Sequence, residues 1–114
     1  TYGHAAGDAV LRQLVERLGA ALRSYDTLGR IGGEEFMVIL PGAPRAEIHV
    51  VPERLRSAVE RAPMHFDELE IPVTISIGVA TAMYTDIRRD VLVRLADDAL
   101  YLAKRNGRNR VEYA

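Results

Sequence analysis

The spacing of apolar positions along the chain predicts three amphipathic helices. Residues 8–23, 45–61 and 90–105 carry apolar side chains at intervals of three and four, with Asp8 placed to cap the first helix. Pro52 lies inside the second window, where it marks either a kink or, as we favour, the first turn. Gly107 is placed to end the third helix. The predicted inward positions are Leu11, Leu14, Val15, Leu18 and Leu22, then Ile48, Val51, Leu55 and Val59, then Leu92, Leu95, Ala96, Ala99 and Ala103.

The segments between these helices predict strands. Residues 28–31 and 36–40 flank paired glycines and predict a tight hairpin, whose second strand is a continuous apolar run typical of burial on both faces. Residues 71–80 alternate between apolar and polar side chains and predict one long strand, and residues 110–113 predict a short last one. This order of elements indicates an α/β domain with a central sheet flanked by helices.

Composition narrows the class of protein further. A chain of 114 residues, 48% hydrophobic and 27% charged, is the size of one domain with its own core. The absence of cysteine excludes disulfides, thiolate metal sites and cysteine nucleophiles. A net charge of −1 argues against a basic nucleic-acid-binding surface. No apolar run is long enough to cross a bilayer. We expect a cytoplasmic domain without direct membrane contact, whose parent protein could be tethered to a membrane.

The hairpin turn Gly32-Gly33-Glu34-Glu35 is the most informative local feature. Glycines without a Cβ atom let the backbone approach a ligand closely, and carboxylate oxygens are ligands that Mg²⁺ prefers. The alternative is an ordinary hairpin whose glutamates face solvent. Four cations surround the end of the third helix and could hold phosphates, or they could simply complement the helix dipole. These cations are Lys104, Arg105, Arg108 and Arg110.

Two further segments indicate a function only when they are considered together with the turn and the cations. In residues 1–8, His4 and Asp8 are each explained by ordinary structural roles, and Arg23 with Asp26 is explained by a surface ion pair of little energetic value. The joint order and spacing of all four features favour a functional explanation instead.

Taken together, five blocks in order resemble the GGDEF domain of diguanylate cyclases, over essentially the whole chain. The signature turn has the form Gly32-Gly33-Glu34-Glu35-Phe36. The other blocks are Tyr-Gly-His-x-x-Gly-Asp at 2–8, Arg-x-x-Asp at 23–26, Ser-Ile-Gly-Val-Ala at 76–80, and Ala-Asp-x-Ala-Leu-Tyr-x-Ala-Lys-x-x-Gly-Arg-Asn at 96–109.

The resemblance implies a nucleotide-cyclase-like fold, with a central, mainly antiparallel sheet, and an activity that condenses two GTP molecules into cyclic di-GMP. Two such domains face each other as a homodimer, each holding one GTP and Mg²⁺. By motif, the resemblance implies that Glu34 and Glu35 bind the metal and take part in catalysis. It implies that the substrate is bound by Gly32 and Gly33 at the nucleotide, by Asp8 at the guanine edge, and by Lys104 and Arg108 at the terminal phosphates.

The Arg-x-x-Asp block resembles the inhibitory site of the family, because it lies five residues before the signature turn. There the product, cyclic di-GMP, binds as a stacked dimer and holds the domains in a nonproductive arrangement. Arg23 and Asp26 are the implied ligands, and guanidinium and carboxylate groups suit the edges of guanine. A further arginine from the next helix often joins them; Arg54 is our candidate and Arg56 the alternative.

The sequence departs from the family pattern at its start. The family domain begins earlier, with a strand that carries a metal-binding Asp and a Phe-Lys-x-Ile-Asn block whose Asn reads guanine. The chain begins at Thr1, so we expect residues 1–114 to be an N-terminally truncated GGDEF domain. We expect the parent protein to be an active cyclase and this chain alone to make no cyclic di-GMP. We also expect it to bind cyclic di-GMP through Arg23 and Asp26. Domain exchange and self-association are two ways in which its exposed strand edges could be buried.

Two other functions remain open at this point. One is a cyclic di-GMP-binding module without cyclase activity, which would have no need of Glu34, Glu35, Lys104 and Arg108. The other is a dimerising domain that binds no nucleotide, which the retention of both motif sets argues against.

Overall fold

The computed structural model describes residues 3–82 and 87–114. Tyr2 of the first motif lies outside the described residues. Helices and strands alternate in the predicted order, with one additional hairpin. The elements are α1 (Gly3–Ala20), β1 (Thr27–Gly32), β2 (Glu35–Ile39), a 3-10 turn (Arg45–Glu47), α2 (Val50–Glu60), β3 (Met64–Phe66), β4 (Leu69–Ile71), β5 (Ile77–Val79), α3 (Arg89–Arg105) and β6 (Val111–Tyr113).

Helix α1 begins five residues before the predicted start, at Gly3, so the prediction that Asp8 caps it was wrong. Alanines near its start favour helix, and Ala6 and Ala9 are buried, which extends the helix toward the N-terminus. Asp8 instead lies exposed in the second turn. Leu14 and Leu18 are buried as predicted, whereas Val15, predicted to face inward, is substantially exposed.

The predicted second helix was too long. Its first part is a 3-10 turn at Arg45–Glu47, and α2 begins only at Val50. Pro52 therefore lies in the first turn, as we favoured, where a missing backbone donor leaves no helical hydrogen bond unmade. Val51, Leu55 and Val59 are buried as predicted. Helix α3 matches its predicted range within one residue, with Ala99 and Ala103 buried, but Leu95 is exposed against the prediction.

Strands β1 and β2 form the predicted antiparallel hairpin, in which Thr27 pairs with Ile39 and Leu28 with Val38. The register shifts between Arg30 and Gly32, which is a β-bulge beside the turn. Burial of β2 on both faces was a wrong prediction, because Ile39 is 53% exposed and the middle of the strand is only partly covered.

Residues 71–80 do not form the single strand that their alternation predicts. Ile71 ends β4, which pairs antiparallel with β3, and Ile77 begins β5, which pairs in parallel with β6. Pro72 separates them, since proline has no N–H to donate to a ladder. The β3–β4 hairpin was not predicted from the sequence. The described strands thus form three two-stranded sheets, two of them antiparallel, in the mixed α/β architecture that the sequence predicts.

The core lies where α1, α2 and β3 meet. Val59 and Met64 are fully buried at its centre, and the hairpin contributes Leu28 and Phe36, which are partly buried against it. Within the described ranges, no helix has both the length and the apolar character needed to cross a bilayer. The β1–β2 hairpin thus packs on the core through both strands, and the signature turn lies at its end. The other buried members of the core are Leu14, Leu18, Val51 and Leu55.

Candidate functional site

The signature turn is open and is held by its own backbone and one arginine. Gly32 and Gly33 have φ values of 154° and 48°, which side-chain-bearing residues rarely adopt. Arg30 Nε donates a hydrogen bond of 2.8 Å to the carbonyl oxygen of Gly33. A Cβ atom at either glycine would have no described neighbour within 4 Å. The turn therefore presents bare backbone that a ligand can approach closely.

The end of α3 lies next to this turn. Lys104 Nζ lies 3.8 Å from a carboxylate oxygen of Glu35, and both side chains are about half-exposed. An exposed pair of this kind stabilises a fold by about 0–1 kcal/mol, so either charge is readily taken over by a ligand. The side chain of Glu34 is exposed and makes no hydrogen bond or ion pair within the described part of the chain. Lys104 of α3 and Glu35 beside the turn are therefore neighbours.

Arg108 lies in the tight turn that ends α3. Gly107 has a φ of 121°, and the amide of Arg108 donates a 2.9 Å hydrogen bond to the carbonyl oxygen of Ala103. This is the 6→1 hydrogen bond that is typical of helix ends at which a glycine with positive φ reverses the chain. The guanidinium of Arg108 has no partner among the described residues. It is exposed and available to an anionic ligand.

Asp8 is not brought into contact with the turn or with α3, and its carboxylate has no partner among the described residues. It lies one helical turn before a groove of about 440 Å³ between α1 and the β1–β2 hairpin. Leu11 and Val15 line the α1 side of this groove, and Leu28 and Phe36 line the hairpin side. The exposure of Val15 follows from its position along this groove.

The described residues contain no cluster of three or more His, Cys, Asp or Glu side chains that could hold a metal ion. Glu34 and Glu35 offer two adjacent carboxylates. This donor set fits Mg²⁺, which proteins commonly hold through one or two carboxylates while substrate phosphates and water fill the remaining positions. It does not form a complete cage by itself.

Arg23 and Asp26 form a second, preformed cluster at the end of α1. Arg23 Nη2 lies 2.6 Å from Asp26 Oδ1, its Nε lies 3.0 Å from both carboxylate oxygens, and its backbone amide donates to Oδ2 at 2.7 Å. The Asp26 side chain is only 2% exposed. These hydrogen bonds from Arg23 lower the pKa of Asp26 below its usual value.

Tyr25 completes this cluster, and the sequence reasoning missed it. The guanidinium carbon of Arg23 lies 4.4 Å from the centre of the Tyr25 ring, and Arg23 Nη1 donates to the tyrosine hydroxyl at 3.2 Å. A second Arg23 nitrogen donates to the carbonyl oxygen of Pro41 at 3.2 Å. The ring is 60% exposed. An aromatic residue inside Arg-x-x-Asp was the available signal, because arginine often stacks on aromatic rings.

The structure places Arg54 and Arg56 differently. Arg54 Nη2 lies 3.5 Å from the carbonyl oxygen of Ala21, two positions before Arg23, so Arg54 is beside the cluster. Arg56 instead donates to Glu53, Glu60 and Asn109, and its side chain is only 17% exposed. Of the two arginines named from the sequence, Arg54 is the one available at the Arg23–Asp26 site.

Comparison of the whole chain with known proteins identifies its family. A family model described as "Diguanylate cyclase, GGDEF domain" matches residues 1–110. The chain therefore belongs to the GGDEF-domain family of diguanylate cyclases.

Similar proteins carry the same domain within longer chains. The chain is 44% identical over 111 residues to Diguanylate cyclase A of Treponema denticola, covering 97% of this chain and 30% of that protein. It superposes on the diguanylate cyclase SiaD of Pseudomonas aeruginosa, solved with its activator SiaC, with a TM-score of 0.89 and 34% identity, covering 99% of this chain and 43% of that one. DgcB of Caulobacter crescentus, solved with c-di-GMP, gives a TM-score of 0.89 at 29% identity, covering 100% of this chain and 61% of that one. The chain thus spans less than a third of the curated relative.

Proposed function

We propose that this domain binds GTP and, facing a second copy, condenses two GTP molecules into cyclic di-GMP. The ion pair between Lys104 and Glu35 carries the proposal, because it joins the phosphate-binding motif of α3 to the signature turn at 3.8 Å. Each 3′-hydroxyl attacks the α-phosphate of the other GTP, so two phosphodiester bonds form and two pyrophosphates leave. One GTP per domain makes a homodimer the catalytic unit.

The side chains have separate roles in this proposal. Lys104 and Arg108, four positions apart, neutralise the terminal phosphates and the charge that develops on the leaving pyrophosphate. The turn at Gly32 and Gly33 lies against the nucleotide, where a larger residue would intrude. Asp8 accepts hydrogen bonds from the guanine edge, and the groove beside it leaves room for a base.

Glu34, with Glu35 as its neighbour, supplies carboxylate oxygens for Mg²⁺ and a hydrogen-bond acceptor near the attacking hydroxyl. Bound magnesium supplies charge neutralisation at the phosphates. The exposure of Glu34, and its lack of a partner within the described ranges, support this assignment, because a metal ligand must be free of competing cations.

A chimera tests the proposed activity. Residues 1–110 would replace the matching segment of the Treponema denticola relative, to which this chain is 44% identical. We expect the chimera to produce cyclic di-GMP from GTP and Mg²⁺, and Glu34→Gln to reduce its rate by about 100-fold or more, since an amide is a poor Mg²⁺ ligand and a poor base. Production is measured by chromatography.

Glu68→Gln is the matched control, because Glu68 is exposed in the β3–β4 turn and has no partner among the described residues. It should leave the rate unchanged. A folded chimera that binds GTP and yields no cyclic di-GMP would contradict the proposed activity and would favour the alternative function, a binding module without cyclase activity.

The second part of the proposal is that cyclic di-GMP binds at Arg23, Asp26 and Arg54 and inhibits the enzyme. Support comes from the preformed contacts of Arg23, which fix its guanidinium before any ligand arrives. Arg54 of α2 adds to it, because its guanidinium lies beside Ala21, just after α1. An ordered site loses less side-chain entropy on binding than a mobile one. The ligand would bridge two copies of the domain.

Calorimetry of this chain with cyclic di-GMP tests the assigned site. We expect Arg23→Ala to weaken binding by about tenfold or more, because it removes a charge-assisted contact, and Arg54→Ala to weaken it less. Arg94→Ala is the control, since Arg94 is exposed on α3 and has no partner in the described part of the chain. Equal affinity of wild type and Arg23→Ala would reject the site.

A further inference from the structure

The turn that carries Arg108 has an uncommon backbone conformation. Arg108 and Asn109 follow Gly107 with φ values of 63° and 45°, so three consecutive residues are left-handed. Glycine adopts this region freely and asparagine tolerates it, but an ordinary side chain there costs about 1–2 kcal/mol. Such a conformation persists only where surrounding contacts hold it. The long-range contacts that hold this turn come from α2.

Asn109 bridges to two residues of α2 through its side-chain amide. Its Oδ1 accepts a hydrogen bond of 2.8 Å from Arg56 Nη1, and its Nδ2 donates one of 2.5 Å to Glu60 Oε2. Arg56 and Glu60 lie 53 and 49 positions away in the sequence. Both the acceptor and a donor of the amide are therefore used in a single tertiary contact.

The α2 side of this contact is itself well ordered. Arg56 Nε donates to Glu53 at 2.7 Å, and its Nη1 also donates to Glu60 at 2.9 Å. The pKa of Glu60 is lowered, first by the hydrogen bond from Arg56 and then by that from Asn109, so this carboxylate stays ionised at neutral pH. A guanidinium already fixed by two carboxylates offers Asn109 a rigid partner.

Arg108 is consequently anchored on both sides while its own guanidinium remains without a partner in the described part of the chain. Its amide is bonded to Ala103 of α3, and its neighbour Asn109 is bonded to α2. We propose that Arg56, Glu60 and Asn109 are positioning residues, which hold the turn so that Arg108 lies beside Lys104 for the triphosphate of GTP. This inference rests on the proposed GTP-binding function.

An NMR titration of the 114-residue chain with GTP and with GMP, both with Mg²⁺, tests the inference. Asn109→Gly removes only the amide, since glycine adopts the left-handed conformation without strain. We expect it to weaken GTP binding about fivefold and GMP binding less than twofold, because GMP lacks the phosphates that Arg108 would hold. Arg56→Lys should act similarly, since it keeps the charge but loses the planar fork.

Asn106→Gly is the matched control, because the amide of Asn106 bonds to Glu112 and not to α2. It should change neither affinity. Asn109→Gly should also have no further effect on GTP binding in an Arg108→Ala background, whereas a general loss of structure would still lower affinity there. Thermal unfolding of each variant verifies that it is folded.

The outcomes separate the inference from the proposed function. If Lys104→Ala and Arg108→Ala weaken GTP binding but Asn109→Gly does not, the positioning role is rejected and the GTP site stands. An equal loss for GTP and GMP in Asn109→Gly rejects the positioning role as well. If GTP binding is insensitive to Lys104→Ala, Arg108→Ala and Asn109→Gly alike, the proposed phosphate site fails and the positioning role fails with it.

Discussion

Asp26 is a nearly inaccessible carboxylate that is satisfied almost entirely by one arginine. It receives hydrogen bonds from the side chain and the backbone amide of Arg23, and these lower its pKa. A hydrogen-bonded charge of this kind favours the ionised form of the group in the folded state. The stability that it contributes must therefore depend on pH.

The direction of this pH dependence follows from the lowered pKa of Asp26. Its contribution is fully present above the unfolded pKa of about 4, and it is lost as the pH falls through the lower folded pKa. We expect Asp26→Asn to lower the free energy of unfolding at pH 7, and to lower it less at about pH 2, because protonation of the wild-type carboxyl removes part of this contribution. Urea denaturation at the two pH values measures this.

Asp97→Asn provides the comparison, because Asp97 is exposed on α3 and has no partner among the described residues. Its effect should be small at both pH values. A destabilisation by Asp26→Asn that is equal at pH 7 and pH 2 would show that the ionised pair is not the source of the stability.

Helix α3 packs on β5 through a backbone contact that only glycine permits. A Cβ atom at Gly78 would overlap the amide nitrogen of Leu100 and the carbonyl oxygen of Ala96. Ala99 and Ala103 are buried on the same helix. Small residues on both the helix and the strand let the two elements approach closely. This close approach determines the position of Lys104 and Arg108 at the end of the helix.

Gly78→Ala should therefore destabilise the fold by about 1–3 kcal/mol or more, since helix and strand must separate to admit a methyl group. Gly7→Ala is the matched substitution: Gly7 lies within α1, and a Cβ atom there has no described neighbour within 4 Å. It should stabilise the fold by about 0.4–1 kcal/mol, because it restricts the unfolded chain. Thermal unfolding of both variants measures the difference, and a neutral Gly78→Ala would contradict the close packing.

The whole molecule is more extended than its length suggests. Its radius of gyration is 14.7 Å, against roughly 13 Å for a globular domain of this size, and it measures 49 × 30 × 21 Å. Its described strands form three separate two-stranded sheets. Ile31 and Ile39 on the β1–β2 hairpin are both more than half exposed. Stability should therefore be uneven, concentrated around Val59 and Met64 and lower in the hairpin.

Hydrogen exchange of the isolated chain tests this unevenness. We expect the slowest exchange in α1 and α2 and at least about tenfold faster exchange in β1 and β2, whose ladder bonds join only each other. Dilution series control for self-association, which would cover the open strand edges. Equal protection of the hairpin and the helices would contradict a core located only at the α1–α2–β3 junction.

Local sequence patterns predicted much of the secondary structure and the family of this protein. Helical spacing located α3 within one residue, paired glycines located the β1–β2 turn, and the order of five motifs identified the family. These signals succeed because side-chain periodicity and turn preferences act over a few residues. The alternation over residues 71–80 failed at Pro72, which has no backbone N–H to donate to a strand pair. The capping signal at Asp8 failed because the alanine-containing helix α1 begins earlier, at Gly3.

Only the tertiary structure decided which distant residues meet. The sequence offers Arg54 as the candidate and Arg56 as the alternative. Packing places Arg54 beside Ala21 and engages Arg56 with Glu60 and Asn109. The contact of Lys104 with Glu35 likewise joins residues far apart in the chain. Such contacts depend on how helices and strands pack, which no short stretch of sequence encodes. The sequence by itself identified the family, and the fold decided which of its charged side chains meet.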